Sequence, residues 1–235
     1  MMLNITQKKF ELNHKKKRNQ ILYLSLKTNG EKEILNLINN FLINENSFIF
    51  ESVEKGKIKG RYTIFGKNPD KIWEFNKNSS YIYNNKIKKK IKGKPKKNIE
   101  KIIQNFNFPI DKKLPPISSI LAGYFSYDVI RYIEKIPNSC KDDLNIPDAS
   151  IVRPKFLVIH DNFKKEIFYL YNCFSDEKIK NYFKKYESVE KELENLIFLS
   201  NYKSNISEIN KKLKIKIKSN VSKKKFISNV IKAKK

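Results

Sequence analysis

The chain has 235 residues, of which 40% are hydrophobic and 12% aromatic, and this composition excludes an intrinsically disordered protein. Its formal net charge is +26, yet no apolar run reaches the length of about 18 residues that a membrane-spanning helix needs. The N-terminus lacks the continuous apolar stretch of a secretory signal, so we expect a cytoplasmic protein with no membrane partner.

The positive charge comes almost entirely from lysine. The arginines are Arg18, Arg61, Arg131 and Arg153. Lysine, asparagine and isoleucine crowd the sequence together, and all three have A- and T-rich codons, so a drift in base composition explains the charge. We therefore predict a solvated basic surface with no specific nucleic-acid partner. The alternative from another functional class is a basic nucleic-acid-binding module, based on residues 86–97 and the tail from residue 211 onward.

The cysteines and histidines form no metal-binding pattern. Cys140 and Cys173 are far apart and belong to no C-x-x-C pair, which is typical of reduced cysteines in a cytosolic chain. His14 and His160 each lack a second imidazole at ligand spacing, so we predict no metal site. His160 precedes Asp161, a pair that could transfer protons, but we favour a structural role for it.

The first half of the chain predicts short strands beside one helix. Residues 1–20 are predicted to be a basic, disordered arm, and "ILYLSL" then alternates like a strand. Thr28 and Glu31 have the spacing of a capping box at the start of an amphipathic helix. An antiparallel meander is predicted from the strands "SFIFESV", "GRYTIFG", "KIWEFN" and "SYIYN". We interpret the lysine-rich "KIKKKIKGKPKK" as an exposed edge strand or loop.

The second half adds helices and a hairpin. Helical spacing marks "NIEKIIQNF", and "ILAGYFSYD" runs into "VIRYIEKIP", a predicted helix that Pro137 ends. We interpret Tyr124, Phe125 and Tyr127 as core and interface residues. "SIVRPKFLVIHD" and "EIFYLYNCF" predict a β-hairpin, and residues 176–201 predict a long amphipathic helix. The fold class that follows is α+β, with antiparallel sheets and flanking helices.

Three stretches together resemble anthranilate synthase component I, and they have the order and spacing of that family's N-terminal part. They are "FIFESVEKGKIKGRYTIFGKNP", "AGYFSYDVIRYIEKIP" and "DDLNIPDASIVRPKFLVIHDNFKKEIFYLY". The final "FISNVIKAKK" resembles the first helix of the family's chorismate-binding half. The resemblance implies a basic arm at 1–20, the family's N-terminal domain at 21–201, and a linker with the truncated start of the chorismate-binding domain at 202–235.

The resemblance also implies a function. The family converts chorismate and glutamine-derived ammonia to anthranilate and pyruvate, a carbon–oxygen lyase reaction in tryptophan biosynthesis. Its chorismate pocket and Mg²⁺-binding glutamates lie in the C-terminal half. We therefore expect no catalytic residue and no bound Mg²⁺ in this chain, and no lyase activity from it alone. The implied partners are a glutamine amidotransferase subunit (component II) and a missing or separate chorismate-binding half.

The N-terminal half of the family contributes to a feedback site for L-tryptophan. The family motif Leu-Leu-Glu-Ser matches Ile49, Phe50, Glu51 and Ser52 here, with the Glu-Ser pair intact. The resemblance thus assigns tryptophan binding to Ser52 and Glu51. Aminodeoxychorismate synthase component I has a related N-terminal half and remains the alternative within the superfamily. A split enzyme, a frameshift product and a decayed gene all remain open explanations for the expected truncation.

Overall fold

The computed structural model describes residues 2–28, 31–41, 46–51, 60–84, 87–137, 139, 142, 144–202 and 218–234. Its α-helices are α1 Gln7–Lys15, α2 Glu31–Phe41, α3 Pro95–Asn105, α4 Tyr182–Asn201 and α5 Lys223–Ala233. Its strands are β1 Gln20–Lys27, β2 Phe48–Phe50, β3 Tyr62–Asn76, β4 Ser79–Asn84, β5 Ile87–Ile91, β6 Ala122–Phe125, β7 Ala149–Asp161 and β8 Glu166–Cys173. A 3₁₀ helix follows β6, at Tyr127–Tyr132.

All strands of the described residues belong to one antiparallel sheet, in the order β1-β8-β7-β3-β4-β5, with β2 paired to β3 and β6 paired to β7. This confirms the predicted α+β class with antiparallel strands. The predicted hairpin is β7–β8, in which Asp161 pairs with Glu166. The lysine-rich tract forms β5 at the sheet edge, where it pairs with β4.

The predicted strands "GRYTIFG" and "KIWEFN" are one continuous strand, β3, instead of two. The Asn-Pro-Asp sequence between them does not break the pairing with β7, because the register shifts between Pro69 and Lys71. Asn68 takes a positive φ of 50° beside this irregularity, a conformation that asparagine tolerates better than most residues. The β-bulge accommodates the Asn-Pro-Asp sequence without ending the strand, so both halves of β3 stay in the sheet.

Helices α1, α2 and α4 cover one face of the sheet. Side chains of α4 on one helical stripe, Val189, Leu193 and Leu196, are buried against the strands. Helix α2 buries Ile34 and Leu37 in the same cluster, and the Asn40 amide donates to the Leu199 carbonyl of α4 over 2.9 Å. The cluster between these helices and the sheet is the largest apolar cluster of the described residues. Each buried aliphatic side chain in it contributes about 1.5–3 kcal/mol.

The expected disordered arm at residues 1–20 is wrong for most of its length. Residues 7–15 form α1, whose N-terminus is capped by the Thr6 hydroxyl, and Phe10 is fully buried against Tyr182 and Tyr186 of α4. The Tyr186 hydroxyl also donates to the Ile5 carbonyl over 2.7 Å. The many lysines suggest disorder, but they lie on the exposed side of a helix that Phe10 and the buried His14 hold against α4.

The segment after β6 also differs from its prediction. A 3₁₀ helix replaces the expected α-helix and ends at Tyr132, so Pro137 does not terminate it. Arg131 instead donates to the carbonyls of Ile136 and Pro137 over 2.9 and 2.8 Å. Of the three aromatic residues predicted for core and interface, Tyr124 is 42%, Phe125 is 55% and Tyr127 is 85% exposed, so none belongs to the core.

The chain divides into two compact units, Met1–Ser204 and Asn205–Lys235. The first contains the whole sheet and helices α1 to α4. The second contains α5, which the Ser222 hydroxyl caps. Within the described residues, no helix has both the length and the apolar character that crossing a membrane requires.

Candidate functional site

The predicted tryptophan-binding residues lie where β2 ends. Glu51 directly follows the last residue of β2 and its side chain is exposed. Ser52 lies outside the described residues. The strand end predicted from the sequence is therefore present, and the assignment of Glu51 and Ser52 to tryptophan stays a prediction.

Strand β2 is only three residues long, so side-chain packing holds it in place. Ile49 packs into the core cluster beneath the helices, while Phe48 packs against apolar residues on the opposite face of the sheet. Phe48 lies across from Gly66 in β3, and a Cβ atom on Gly66 would overlap the Phe48 ring. The absence of a side chain at Gly66 leaves room for the Phe48 ring, and the packing of this ring helps to hold β2 against β3.

A row of polar residues starts at Glu51 and crosses the sheet. The antiparallel register of β2 with β3 ends with Phe50 opposite Ile64, and extending it by one residue would bring Glu51 opposite Thr63. Thr63 itself pairs with His160 of β7. Thr63 is 3% exposed and His160 is 1% exposed. Because side chains alternate along a strand, this row shares the sheet face with Ile49, on the side that the helices cover.

His160 is a buried imidazole with unused hydrogen-bonding groups. Neither ring nitrogen has a partner among the described residues. Burial lowers the pKa of His160, and Lys165 acts in the same direction, while Asp161 and Glu33 oppose the shift. The Asn162 side chain also interacts with the ring and opposes the shift. The ring is therefore neutral at physiological pH, with one N–H donor and one acceptor nitrogen.

The carboxylate of Asp161, the next residue in the chain, accepts hydrogen bonds that hold the local structure. The Arg61 guanidinium donates to both of its carboxylate oxygens, at 3.1 Å from Nε and 2.7 Å from Nη2. The backbone N–H groups of Phe163 and Lys164 donate to it as well. Burial would raise the pKa of Asp161, but these donors and the positive charge of Arg61 lower it below its ordinary value. Asp161 therefore anchors the β7–β8 turn and is no proton acceptor for His160.

The described residues do not fit a metal ion. No group of three His, Cys, Asp or Glu side chains converges as a metal site requires, within the parts of the chain that the structure describes. The resemblance implies Mg²⁺ for the complete enzyme, and the expectation that this chain binds none stays a prediction. Cys173 is buried, and burial raises the pKa of its thiol to about 12, so it supplies no thiolate at neutral pH.

Sequence reasoning found one end of the polar row and missed the rest. Glu51 was recognised from its place at the end of an apolar run. Thr63 and His160 were not connected with it, because they are 12 and 109 residues away in the chain. The available signal was the strand alternation of "RYTIFG" and "LVIHD", which puts Thr63 and His160 on the apolar-facing side where aliphatic residues are expected.

Comparisons with known protein sequences relate the chain to one enzyme family. The model of the family described as chorismate binding enzyme matches residues 45–235. Anthranilate synthase component 1 of Cereibacter sphaeroides is 31% identical over 163 residues, which cover 67% of this chain and 33% of that protein. The Acetivibrio thermocellus protein of the same name is 30% identical over 192 residues, covering 80% and 39%. The chain thus spans about a third of the length of these relatives.

A solved structure supports the fold. The crystal structure of anthranilate synthase component I from Streptococcus pneumoniae TIGR4 superposes with a TM-score of 0.50 at 20% identity, covering 72% of this chain and 35% of that one. At this identity the likeness concerns the fold alone, and it agrees with the mixed helix and antiparallel-sheet architecture. Since the family match extends over residues 45–235, well over half of the chain, the protein belongs to the family of chorismate binding enzymes and over part of its length is similar to anthranilate synthase component I.

Proposed function

We propose that this chain is the regulatory, tryptophan-binding portion of an anthranilate synthase component I. The observation that carries the proposal is the sequence Ile49-Phe50-Glu51-Ser52, in which an exposed glutamate directly follows β2 and a serine comes next in the chain. The enzyme to which it belongs converts chorismate and glutamine-derived ammonia to anthranilate and pyruvate. Its partners are a glutamine amidotransferase subunit and a chorismate-binding half that also holds Mg²⁺.

The chemistry of the strand end suits a zwitterionic amino acid. An ammonium group needs acceptors, which the Glu51 carboxylate supplies, and charge-assisted hydrogen bonds of this kind are the stronger class. A carboxylate needs donors, and the hydroxyl of Ser52 is one such group. The neutral imidazole of His160, two strands away on the same row, adds a buried donor and acceptor to this polar side of the sheet.

The experiment replaces Ser52 in an enzyme assembled from this chain and a chorismate-binding half, joined by fusion or added as a second chain. Ser52→Ala removes one hydrogen bond to a charged ligand, a loss of about 1.5–3 kcal/mol. At about 1.4 kcal/mol per decade, tryptophan inhibition should weaken by roughly ten- to a hundred-and-fifty-fold. Turnover without tryptophan should barely change, because Ser52 belongs to the effector site.

The matched control is Ser47→Ala, which makes the same change just before β2, at a hydroxyl with no partner among the described residues. It should leave tryptophan sensitivity near that of the unmodified enzyme. Linkage adds a requirement: if tryptophan lowers the affinity for chorismate, chorismate must lower the affinity for tryptophan by the same factor. Normal tryptophan sensitivity in Ser52→Ala, or a loss of basal turnover instead, would refute the assignment.

A further inference from the structure

A second candidate site is a cavity of about 450 Å³ between helix α3 and the sheet, which we name the α3 cavity. Its walls come from β3, β5, β7, α3 and the segment after β8, and no residue of β2 lines it. The volume falls in the range of about 300–1,000 Å³ that is typical of small-molecule sites. We propose that the α3 cavity binds a small organic carboxylate whose body is an apolar ring.

One wall of the cavity is apolar and includes an indole. Trp73 of β3 lines it and is 8% exposed, with Ile102 of α3 and Leu121 beside it in the same apolar cluster. This wall suits the apolar ring of a ligand.

Two of the cations around the cavity are paired with carboxylates. Arg153 is 9% exposed, stacks on Phe174 at 3.8 Å, and donates to Asp70 and Asp176 over 2.8 Å each. Lys71 also bonds Asp176, so these two cations and two carboxylates compensate one another.

Two further lysines line the same cavity, Lys92 after β5 and Lys101 on α3. Neither forms an ion pair with a described residue, so the lining carries an excess of two positive charges. Two uncompensated ammonium groups beside an apolar wall favour a negatively charged group joined to an apolar body. A phosphate or sulfate alone would leave the Trp73 surface unfilled, and an uncharged ring would leave both lysines unpaired. A carboxylate on a single ring satisfies both requirements within the available volume.

The chain offers its own reporter for the test, because Trp73 is its only tryptophan. Cyclohexanecarboxylate is titrated into the whole chain at low ionic strength, and Trp73 emission is followed alongside equilibrium dialysis. The neutral probe is cyclohexanecarboxamide, which has nearly the same shape. We expect saturable carboxylate binding with a dissociation constant on the order of 1 mM or tighter, and at least about tenfold weaker binding of the amide.

Substitutions of the lining lysines test whether the carboxylate binds in the α3 cavity. Lys101→Met and Lys92→Met should each weaken it by up to about fivefold, the range for partly exposed ion pairs, and the double variant should weaken it further. The matched control is Lys164→Met, an exposed lysine in the β7–β8 turn and outside the cavity lining. Ser52→Ala should have no effect, which separates this site from the proposed tryptophan site. Absence of saturable binding in dialysis, equal affinity for acid and amide, or equal losses in Lys164→Met and Lys101→Met would overturn the proposal.

Discussion

Gly66→Ala tests whether the Phe48 ring fixes β2 in place. A Cβ atom at Gly66 would overlap Cζ and Cε1 of Phe48, the residue that pairs with it across β2 and β3. The Phe48 ring is half-buried and packs against the sheet and against the Phe50 ring at 5.0 Å between centroids, so moving it would sacrifice these contacts. The alanine variant must therefore displace either this ring or β2 itself.

Overpacking of this kind destabilises a protein by about 1–3 kcal/mol. In a Phe48→Ala background the overlap is gone, and replacing a strand glycine by alanine should then stabilise by about 0.5–1 kcal/mol. A double-mutant cycle should thus show a coupling free energy of about 1.5–4 kcal/mol between the two positions. Urea unfolding of the four proteins measures it, with unchanged slopes as the condition for comparing midpoints. Equal costs of Gly66→Ala in both backgrounds would refute the reasoning.

Gly123→Ala provides the contrast for this cycle. A Cβ atom there would overlap the Ser150 carbonyl oxygen and approach Cα of Ile151 to 2.9 Å, so the obstacle is backbone. Truncating a neighbouring side chain cannot relieve it. We expect Gly123→Ala to keep its cost in every background, because β6 must move away from β7 to accept the methyl group.

Three further outcomes are expected. The purified chain, mixed with chorismate, Mg²⁺ and ammonia, should produce no anthranilate fluorescence above background, and turnover that survives further purification would contradict this. Binding to duplex DNA should be weak, indifferent to sequence and lost near physiological salt, whereas submicromolar affinity for one sequence at that salt would favour the nucleic-acid-binding alternative. Burial lowers the pKa of His160 in the folded state, so stability should fall as pH drops below about 6.5, where only the unfolded state gains the proton. His160→Leu should flatten this dependence in urea unfolding between pH 5 and 8, and an unchanged slope would refute the role of this ring.

The elements that the sequence predicted correctly are those with strong local periodicity. The apolar stripe of α4 buries one helical face, and the nearly continuous apolar runs of β7 and β8 are buried on both faces of the sheet, so each pattern is dictated by the element's own contacts with the core. Helix α1 was missed because only Phe10 and His14 are buried in it, while lysines are prominent in its composition. The spacing of apolar residues predicted an α-helix where the structure has a 3₁₀ helix. These residues are half-exposed or exposed, so their spacing does not reflect packing against a core.

Candidate sites depend on pairings that no local pattern contains. Glu51 is visible from the sequence because polarity changes abruptly at the end of an apolar run. The row that connects it to Thr63 and His160 requires the register of β2 with β3 and of β3 with β7. The α3 cavity likewise brings Lys92 and Lys101 to Trp73 only after the sheet has formed. Register between distant strands is set by tertiary packing, which a single sequence does not display.

The shortness of β2 affects the proposed tryptophan site. A three-residue strand forms few ladder hydrogen bonds, so its docking depends on Ile49 and Phe48, and its local opening should cost less than global unfolding. A ligand that needs Glu51 and Ser52 in place binds only the docked fraction, and its apparent dissociation constant rises as that fraction falls. Gly66→Ala should therefore weaken tryptophan inhibition of the assembled enzyme, although it changes no group that contacts the ligand. Phe48→Leu replaces the ring by a smaller side chain and reduces the overlap. Combined with Gly66→Ala, it should restore part of the tryptophan sensitivity. Inhibition curves for the two variants measured side by side decide the matter, and unaltered tryptophan sensitivity in Gly66→Ala would mean that β2 docking does not control the site.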